Sequence, residues 1–166
     1  DGSLSSQFLT GLIIAIAEAT TQKTVIHVKD LTSRPYIDLT LQMMEHFGYH
    51  VATNHYQAFQ VFPKPAQKPV IEYSVEGDWS GAAFLLVAGA IAGNVTVTGL
   101  DVFSAQADRA VLQALMEAGA VMSITTEKIA VSKHNLKAFQ FNASNCPDLF
   151  PPLLALAAYC KGTSVI

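Results

Sequence analysis

The chain has 166 residues, 51% of them apolar and 14% charged, which is enough to bury a sizeable core and excludes a disordered chain. Its net charge of −3 is mild. The 10 Lys and Arg stand singly, with no basic stripe or aromatic-basic interleaving that would suit nucleic acid.

The predicted elements run as follows. Residues 6–18 form a helix, with Phe8, Leu9, Leu12, Ile13 and Ile16 as its apolar face and Ser5 or Ser6 as its cap. Residues 24–28 are β-branched and alternate, which predicts a strand. Pro35 opens a second helix to about Phe47, with Ile37, Leu41, Met44 and Phe47 on one side and Gly48 ending it. Residues 49–52 and 58–62 form a hairpin, and Pro63, Pro65 and Pro69 mark a loop. The pattern then begins again. Residues 79–92 form a helix closed by Gly93, 94–98 a strand, 105–118 a helix closed by Gly119, and 121–124 with 128–131 a hairpin. A third round follows: a strand at 139–141, a helix over 149–161 closed by Gly162, and a strand at 163–166.

This is an internal repeat of roughly 70 residues in the order helix, strand, helix, hairpin. Ser33 answers to Ser104, Gly48 to Gly119, Gly93 to Gly162 and Asp78 to Asp148. The fold class expected is α/β (α+β). The crossing expected between two modules is the Pro-rich loop and the segment 72–77, with residues 1–76 in one module and 77–166 in the other.

Cys146 and Cys160 read as small buried hydrophobes, not a disulfide. The opening Asp1-Gly2 lacks a basic region, so no signal peptide is expected. The apolar runs 8–17 and 82–92 are too short to span a bilayer and read as buried helices. A cytoplasmic protein with no membrane partner is expected. The chain starts without Met and stops inside the β-branched run Thr163-Ser164-Val165-Ile166, so both ends read as cut.

Three segments carry candidate chemistry, each at a helix start. Ser5, Ser6 and Gln7 set two hydroxyls and an amide where free N–H groups and the positive helix end favour a phosphate or carboxylate; plain capping is the alternative. Ser33 in Thr32-Ser33-Arg34-Pro35-Tyr36 can donate to an anion, and Tyr36 can stack on a ring; a simple capped helix is again the alternative. Asp148, between Pro147 and an apolar helix, either caps that helix or serves as a general base or ligand for hydroxyls; Asp78 reads more simply as a cap. His27, His46, His50, His55 and His134 form no metal-ligand spacing, and no Walker loop, dinucleotide fingerprint or nucleophile elbow is present.

These residues carry a family resemblance. Asp1-Gly2-Ser3-Leu4-Ser5-Ser6-Gln7-Phe8-Leu9-Thr10 and Ser33-Arg34-Pro35-Tyr36-Ile37-Asp38-Leu39-Thr40 resemble substrate-binding segments of EPSP synthases. Val75-Glu76-Gly77-Asp78-Trp79-Ser80 resembles that family's crossing between domains, and Pro147-Asp148 its segment bearing the catalytic aspartate. The resemblance spans essentially the whole chain. It implies a fold of two domains, each of three βαβαββ units, with the last unit of one domain in 1–76 and about one and a half units of the other in 77–166.

It also implies transfer of the carboxyvinyl group of phosphoenolpyruvate to the 5-hydroxyl of shikimate 3-phosphate, in the shikimate pathway to chorismate and the aromatic amino acids, with no metal or organic cofactor. Ser5, Ser6 and Ser33 would hold the phosphate of shikimate 3-phosphate, Gln7 would contact both substrates, Tyr36 would lie against the shikimate and Asp148 would accept the proton. The Lys and Arg that clamp two anionic substrates in the family lie before Asp1 and after Ile166. This piece alone is therefore expected to be inactive, to bind shikimate 3-phosphate weakly at most, and, with apolar helix faces exposed, to self-associate or rearrange its domains, whereas the family is usually monomeric. The competing readings are the enolpyruvyl transferase acting on UDP-N-acetylglucosamine, and a non-catalytic α/β repeat module.

Overall fold

The structure, a computed structural model, describes residues 1–64 and 70–166. Pro65 and Pro69 of the expected loop lie outside the described residues. The chain divides into two compact units, Asp1–Tyr73 and Ser74–Ile166.

In the first unit, helix α1 (Ser6–Ala19) leads to strand β1 (Thr24–His27), helix α2 (Arg34–His46) and the hairpin β2 (Val51–Asn54) and β3 (Ala58–Val61). The sheet is antiparallel in the order β1-β3-β2, with Thr24 opposite Val61 and Val51 opposite the same residue. Ser5 caps α1, its Oγ accepting from the Gln7 N–H at 3.2 Å. Leu9, Ile13 and Ala17 recur at helical spacing and bury against Ile37, Met44, Phe59 and Val61. Full burial of a side chain such as Ile13 or Phe59 contributes roughly 1.5–3 kcal/mol.

The two helices run parallel. Thr10 Oγ1 lies 3.1 Å from Thr40 Oγ1, Ile14 and Ala17 share a groove with Met43 and Met44, and Glu18 receives the Tyr49 hydroxyl beyond the end of α2. Gly48, at φ 80°, takes the left-handed turn that ends α2, where a side chain would be strained.

The second unit repeats the order: α3 (Trp79–Ala92), β4 (Val95–Thr98), a 3-10 turn (Ala107–Ala110) running into α4 (Val111–Glu117), and the hairpin β5 (Val121–Ile124) and β6 (Lys128–Ser132). Its sheet order, β4-β6-β5, matches that of the first unit. Asp78 caps α3, accepting from the N–H groups of Ser80 at 3.0 Å and Gly81 at 2.9 Å. Gly89 lets α3 approach the sheet: a Cβ there would stand 3.0 Å from Val95 Cβ and 3.2 Å from the Val131 carbonyl oxygen. A second 3-10 turn (Pro147–Leu149) and α5 (Phe150–Ala158) complete the unit, α5 packing on α3 around Leu149, Leu153 and Leu156.

Four expectations need correction. The runs 8–17 and 82–92 are not buried throughout: Phe8 is 72% exposed and Leu12 47%, and Phe84 and Leu85 are also exposed. Nearly every position in these runs is apolar, so periodicity could not select the buried face. The helix expected over 105–118 begins as a 3-10 turn, because Gln106 turns its side chain back to α3, accepting from Trp79 N–H at 2.9 Å and donating to the Gly77 carbonyl at 3.0 Å. The helix expected over 149–161 ends at Ala158, where Tyr159 and Cys160 tighten into i→i−3 bonds and Lys161 N–H reaches the Leu136 carbonyl at 3.1 Å. Residues 139–141 and 163–166 form parallel bridges, not full strands, with Val165 N–H on Phe139 O at 3.0 Å and Phe141 N–H on Val165 O at 2.9 Å. In each complete unit, by contrast, the first strand pairs antiparallel with the last strand of a hairpin.

Candidate functional site

The segment before α1 is sewn to the segment before α2. Gly2 N–H donates to the Lys29 carbonyl at 2.7 Å, and Thr32 N–H donates to the Gly2 carbonyl at 3.3 Å. The approach is tight: a Cβ on Gly2 would stand 3.0 Å from the Leu31 Cα, so the neighbouring segment would have to give by a few tenths of an ångström. With α1 and α2 parallel, both helix N-termini emerge at one end of the unit. Ser5, Ser6, Gln7, Ser33 and Tyr36 all belong to these two starts.

The local roles of these residues differ. Ser5 spends its oxygen on capping, while its O–H remains a donor. Ser6 is buried on the core side of α1, and Gln7 is exposed. Ser33 is buried at the start of α2, makes no capping bond through its side chain, and takes the left-handed conformation at φ 51°, ψ 44°. A non-glycine residue there is uncommon and is held only by surrounding structure. Tyr36 is half-buried, in the first turn of α2. The first turns of both helices carry no acidic side chain.

The matching end of the second unit is built differently. Asp78 occupies the free N–H groups of α3, and Asp108, 1% exposed, accepts from Ser80 Oγ at 2.6 Å. Ser104, the counterpart of Ser33, donates to Glu76 Oε1 at 2.9 Å. Carboxylates of the chain fill the place where an anion would bind. The first unit leaves that place to hydroxyls and helix dipoles, which suit a phosphate.

Asp148 lies in the second unit, exposed on the 3-10 turn Pro147–Leu149. It is not a cap: neither that turn nor α5 has a capping bond from a side chain. Pro151 and Pro152 explain why. They remove N–H groups from the first turn of α5, where a capping oxygen would bind. The paired prolines were a signal in the sequence that separates Asp148 from its repeat counterpart Asp78. The Arg34 guanidinium carbon lies 5.1 Å from the centroid of the Tyr56 ring.

A model of the family EPSP synthase (3-phosphoshikimate 1-carboxyvinyltransferase) matches residues 1–166. The chain belongs to the EPSP synthase family. Among its relatives are proteins named 3-phosphoshikimate 1-carboxyvinyltransferase from Haemophilus influenzae (strain PittEE), 37% identical over 166 residues, and from Pasteurella multocida (strain Pm70), 40% identical over 168 residues. In each case all of this chain is covered but only 38% of the relative. The chain thus spans well under half the length of the EPSP synthase relatives it matches. Its fold resembles the enolpyruvyl transferase NikO from Streptomyces tendae, with a TM-score of 0.70 at 15% identity, covering 98% of this chain and 41% of that one. It also resembles an EPSP synthase from Acinetobacter baumannii, with a TM-score of 0.66 at 22% identity, covering 97% and 38%.

Both cysteines are free thiols, Cys146 buried and Cys160 partly so. Burial, with Asp108 nearby as the lesser cause, pushes the Cys146 thiol up to about 11. A folded thiol that keeps its proton longer than the unfolded one makes folding less favourable wherever only the unfolded chain has ionised. Stability should therefore be insensitive to this group below pH 9 and should fall as pH rises from 9 towards 11. Labelling with a thiol reagent at pH 8 should leave Cys146 unmodified in the native chain and modify it in denaturant. Fast native labelling would contradict its burial.

Proposed function

We propose that the protein to which this chain belongs transfers the carboxyvinyl group of phosphoenolpyruvate to the 5-hydroxyl of shikimate 3-phosphate, releasing phosphate, in chorismate and aromatic amino-acid biosynthesis. The observation that carries the reading is the gathering of Ser5, Ser6 and Ser33 at two parallel helix starts with no acidic side chain in their first turns, in a chain 37–40% identical to relatives named for that reaction.

In this reading Ser5, Ser6 and Ser33 donate to the phosphate of shikimate 3-phosphate. Gln7 bridges the two substrates, and Tyr36 lies against the shikimate ring. Asp148 accepts the proton of the 5-hydroxyl as that oxygen bonds to the enolpyruvyl carbon and the methylene carbon gains a proton. Phosphate then leaves the tetrahedral adduct and the methyl group gives up a proton, restoring the double bond. Cations that steady the phosphates belong to parts of the protein outside these 166 residues. Residues 1–76 are assigned to the last repeat unit of one domain and 77–166 to about one and a half units of the other. A cytoplasmic location fits the reading; no helix among the described residues is long and apolar enough to cross a membrane.

The test is a titration of the 166-residue chain with shikimate 3-phosphate, followed by amide NMR. Shifts at Ser5, Ser6, Ser33 and Tyr36 are expected, with weak affinity, no response to a uridine nucleotide sugar and no turnover when phosphoenolpyruvate is added. Shifts confined to other residues, or a stronger response to the uridine compound, would reverse the assignment.

A further inference from the structure

Beside the candidate phosphate ligands stands a side-chain cluster that the proposed chemistry does not use. It centres on Tyr56, in the turn between β2 and β3. The Tyr56 hydroxyl donates to Asp38 Oδ1 at 2.8 Å, and its ring lies under the Arg34 guanidinium at 5.1 Å. Arg34 and Asp38 are four residues apart on α2, so Tyr56 spans one turn of one helix face, starting at the residue after Ser33. The contacts combine a cation–π attraction and a hydrogen bond to a carboxylate.

The turn that delivers Tyr56 is itself unusual. His55 and Tyr56 have φ of 48° and 59°, and Gln57 N–H closes the turn on the Asn54 carbonyl at 2.9 Å. Two successive positive φ values normally select Asn-Gly. Here two side-chain-bearing residues hold them. The Tyr56 ring meets the fully buried Phe59, with centroids 6.5 Å apart, and the Gln57 carbonyl accepts from Val28 N–H at 2.9 Å. Val28 opens the loop that carries the other left-handed residues, Asp30 at φ 54° and Ser33 at φ 51°. A strained turn anchored in the core thus grips α2 immediately after a strained serine. Its hydrogen bond to Asp38, then burial, raises the Tyr56 phenol above its ordinary value, so the hydroxyl stays a donor well into alkaline pH.

We propose that Tyr56 is a positioning residue, which by gripping Arg34 and Asp38 holds the start of α2 in the conformation that presents Ser33 to a phosphate. The functional half of this statement rests on the reading of Ser33 given above; the conformational half does not.

The experiment uses the full 166-residue chain and reads the Ser33 backbone directly, through the strong intraresidue HN–Hα NOE that marks a positive φ. Y56F and D38A should each weaken that NOE, and the double variant should do no more than either alone. D38N, which can still accept from the hydroxyl, should restore it. Y49F, which removes a tyrosine hydroxyl bonded to Glu18 near the other end of α2, should leave Ser33 unchanged. In parallel, Y56F and D38A should raise the Kd for shikimate 3-phosphate about three- to tenfold, the scale of one lost hydrogen bond. Persistence of the positive φ at Ser33 in folded Y56F and D38A overturns the proposal. Failure of the unsubstituted chain to shift at Ser5, Ser6 and Ser33 with ligand overturns the phosphate reading instead, and the NOE still decides the role of Tyr56.

Discussion

On the proposed reading of Asp148, its replacement by Asn in the full-length protein is expected to lower kcat by about 10²- to 10⁴-fold, the usual contribution of a positioned general base. Asn keeps the shape and the hydrogen-bonding reach of the side chain but cannot take the proton of the attacking hydroxyl. The KM for shikimate 3-phosphate should change far less than kcat. The same substitution should be almost silent in stability, within about 0.5 kcal/mol, since Asp148 is exposed and caps nothing. Steady-state phosphate release on the full-length protein, with thermal unfolding of this chain as the control, separates the two effects. A D148N enzyme with ordinary turnover would remove Asp148 from the mechanism. A large loss of stability would mean that it serves the fold instead.

The largest effect on folding is expected at Trp79. It is the first residue of α3, wholly buried, and tied twice: its backbone N–H donates to Gln106 Oε1 at 2.9 Å and its indole Nε1–H to the Asp101 carbonyl at 3.1 Å. W79A removes the largest side chain of the second core and leaves that carbonyl without its indole donor. A destabilisation of about 3–5 kcal/mol is expected. W79F retains most of the apolar volume and should recover the greater part of it. Denaturant unfolding followed by circular dichroism reads both, since Trp79 is the chain's single tryptophan and its fluorescence disappears with it. With two compact units the transition need not be two-state. The loss should fall on the second unit's transition and leave the first unit's in place. An unchanged midpoint would contradict the packing of Trp79 described here.

Local signals in the sequence were strong where a few neighbouring residues settle the outcome. Asp78 fixes the start of α3 because a carboxylate can satisfy the first N–H groups, and Gly93 follows its last turn. Gly48 and Gly119 stop the matching helices of each unit at the same φ of 80°. The serines of α1 stand at a helix start because Ser5 bonds to Gln7 two residues on. The internal repeat, with the family motifs laid over it, was legible for the same reason: short patterns recur at constant spacing.

What remained hidden depended on residues far apart in the chain. Asp78 and Asp148 looked alike beside their helices. One is a cap and the other is not, and the difference lies in Pro151 and Pro152, whose missing N–H groups were in plain view but acquire meaning only once the start of α5 is located. Ser33 and Ser104 also looked alike, yet Ser104 is bonded to Glu76, 28 residues away, whereas Ser33 makes no capping bond. The buried sides of α1 and α3 could not be chosen from sequences apolar all round; the sheets beneath them chose Leu9, Ile13 and Ala17 over Phe8 and Leu12. The left-handed backbone at Ser33 has no sequence signature, because nothing in a serine asks for it. By itself the sequence determined the helix starts, the turns that end helices, the order of elements and the residue types offered to an anion, all of which follow from capping, φ preference and periodicity over a few residues. Only the tertiary structure decided which hydroxyls and carboxylates are already engaged and how the start of α2 is held, because those depend on hydrogen bonds and packing between segments that meet only once the chain has folded.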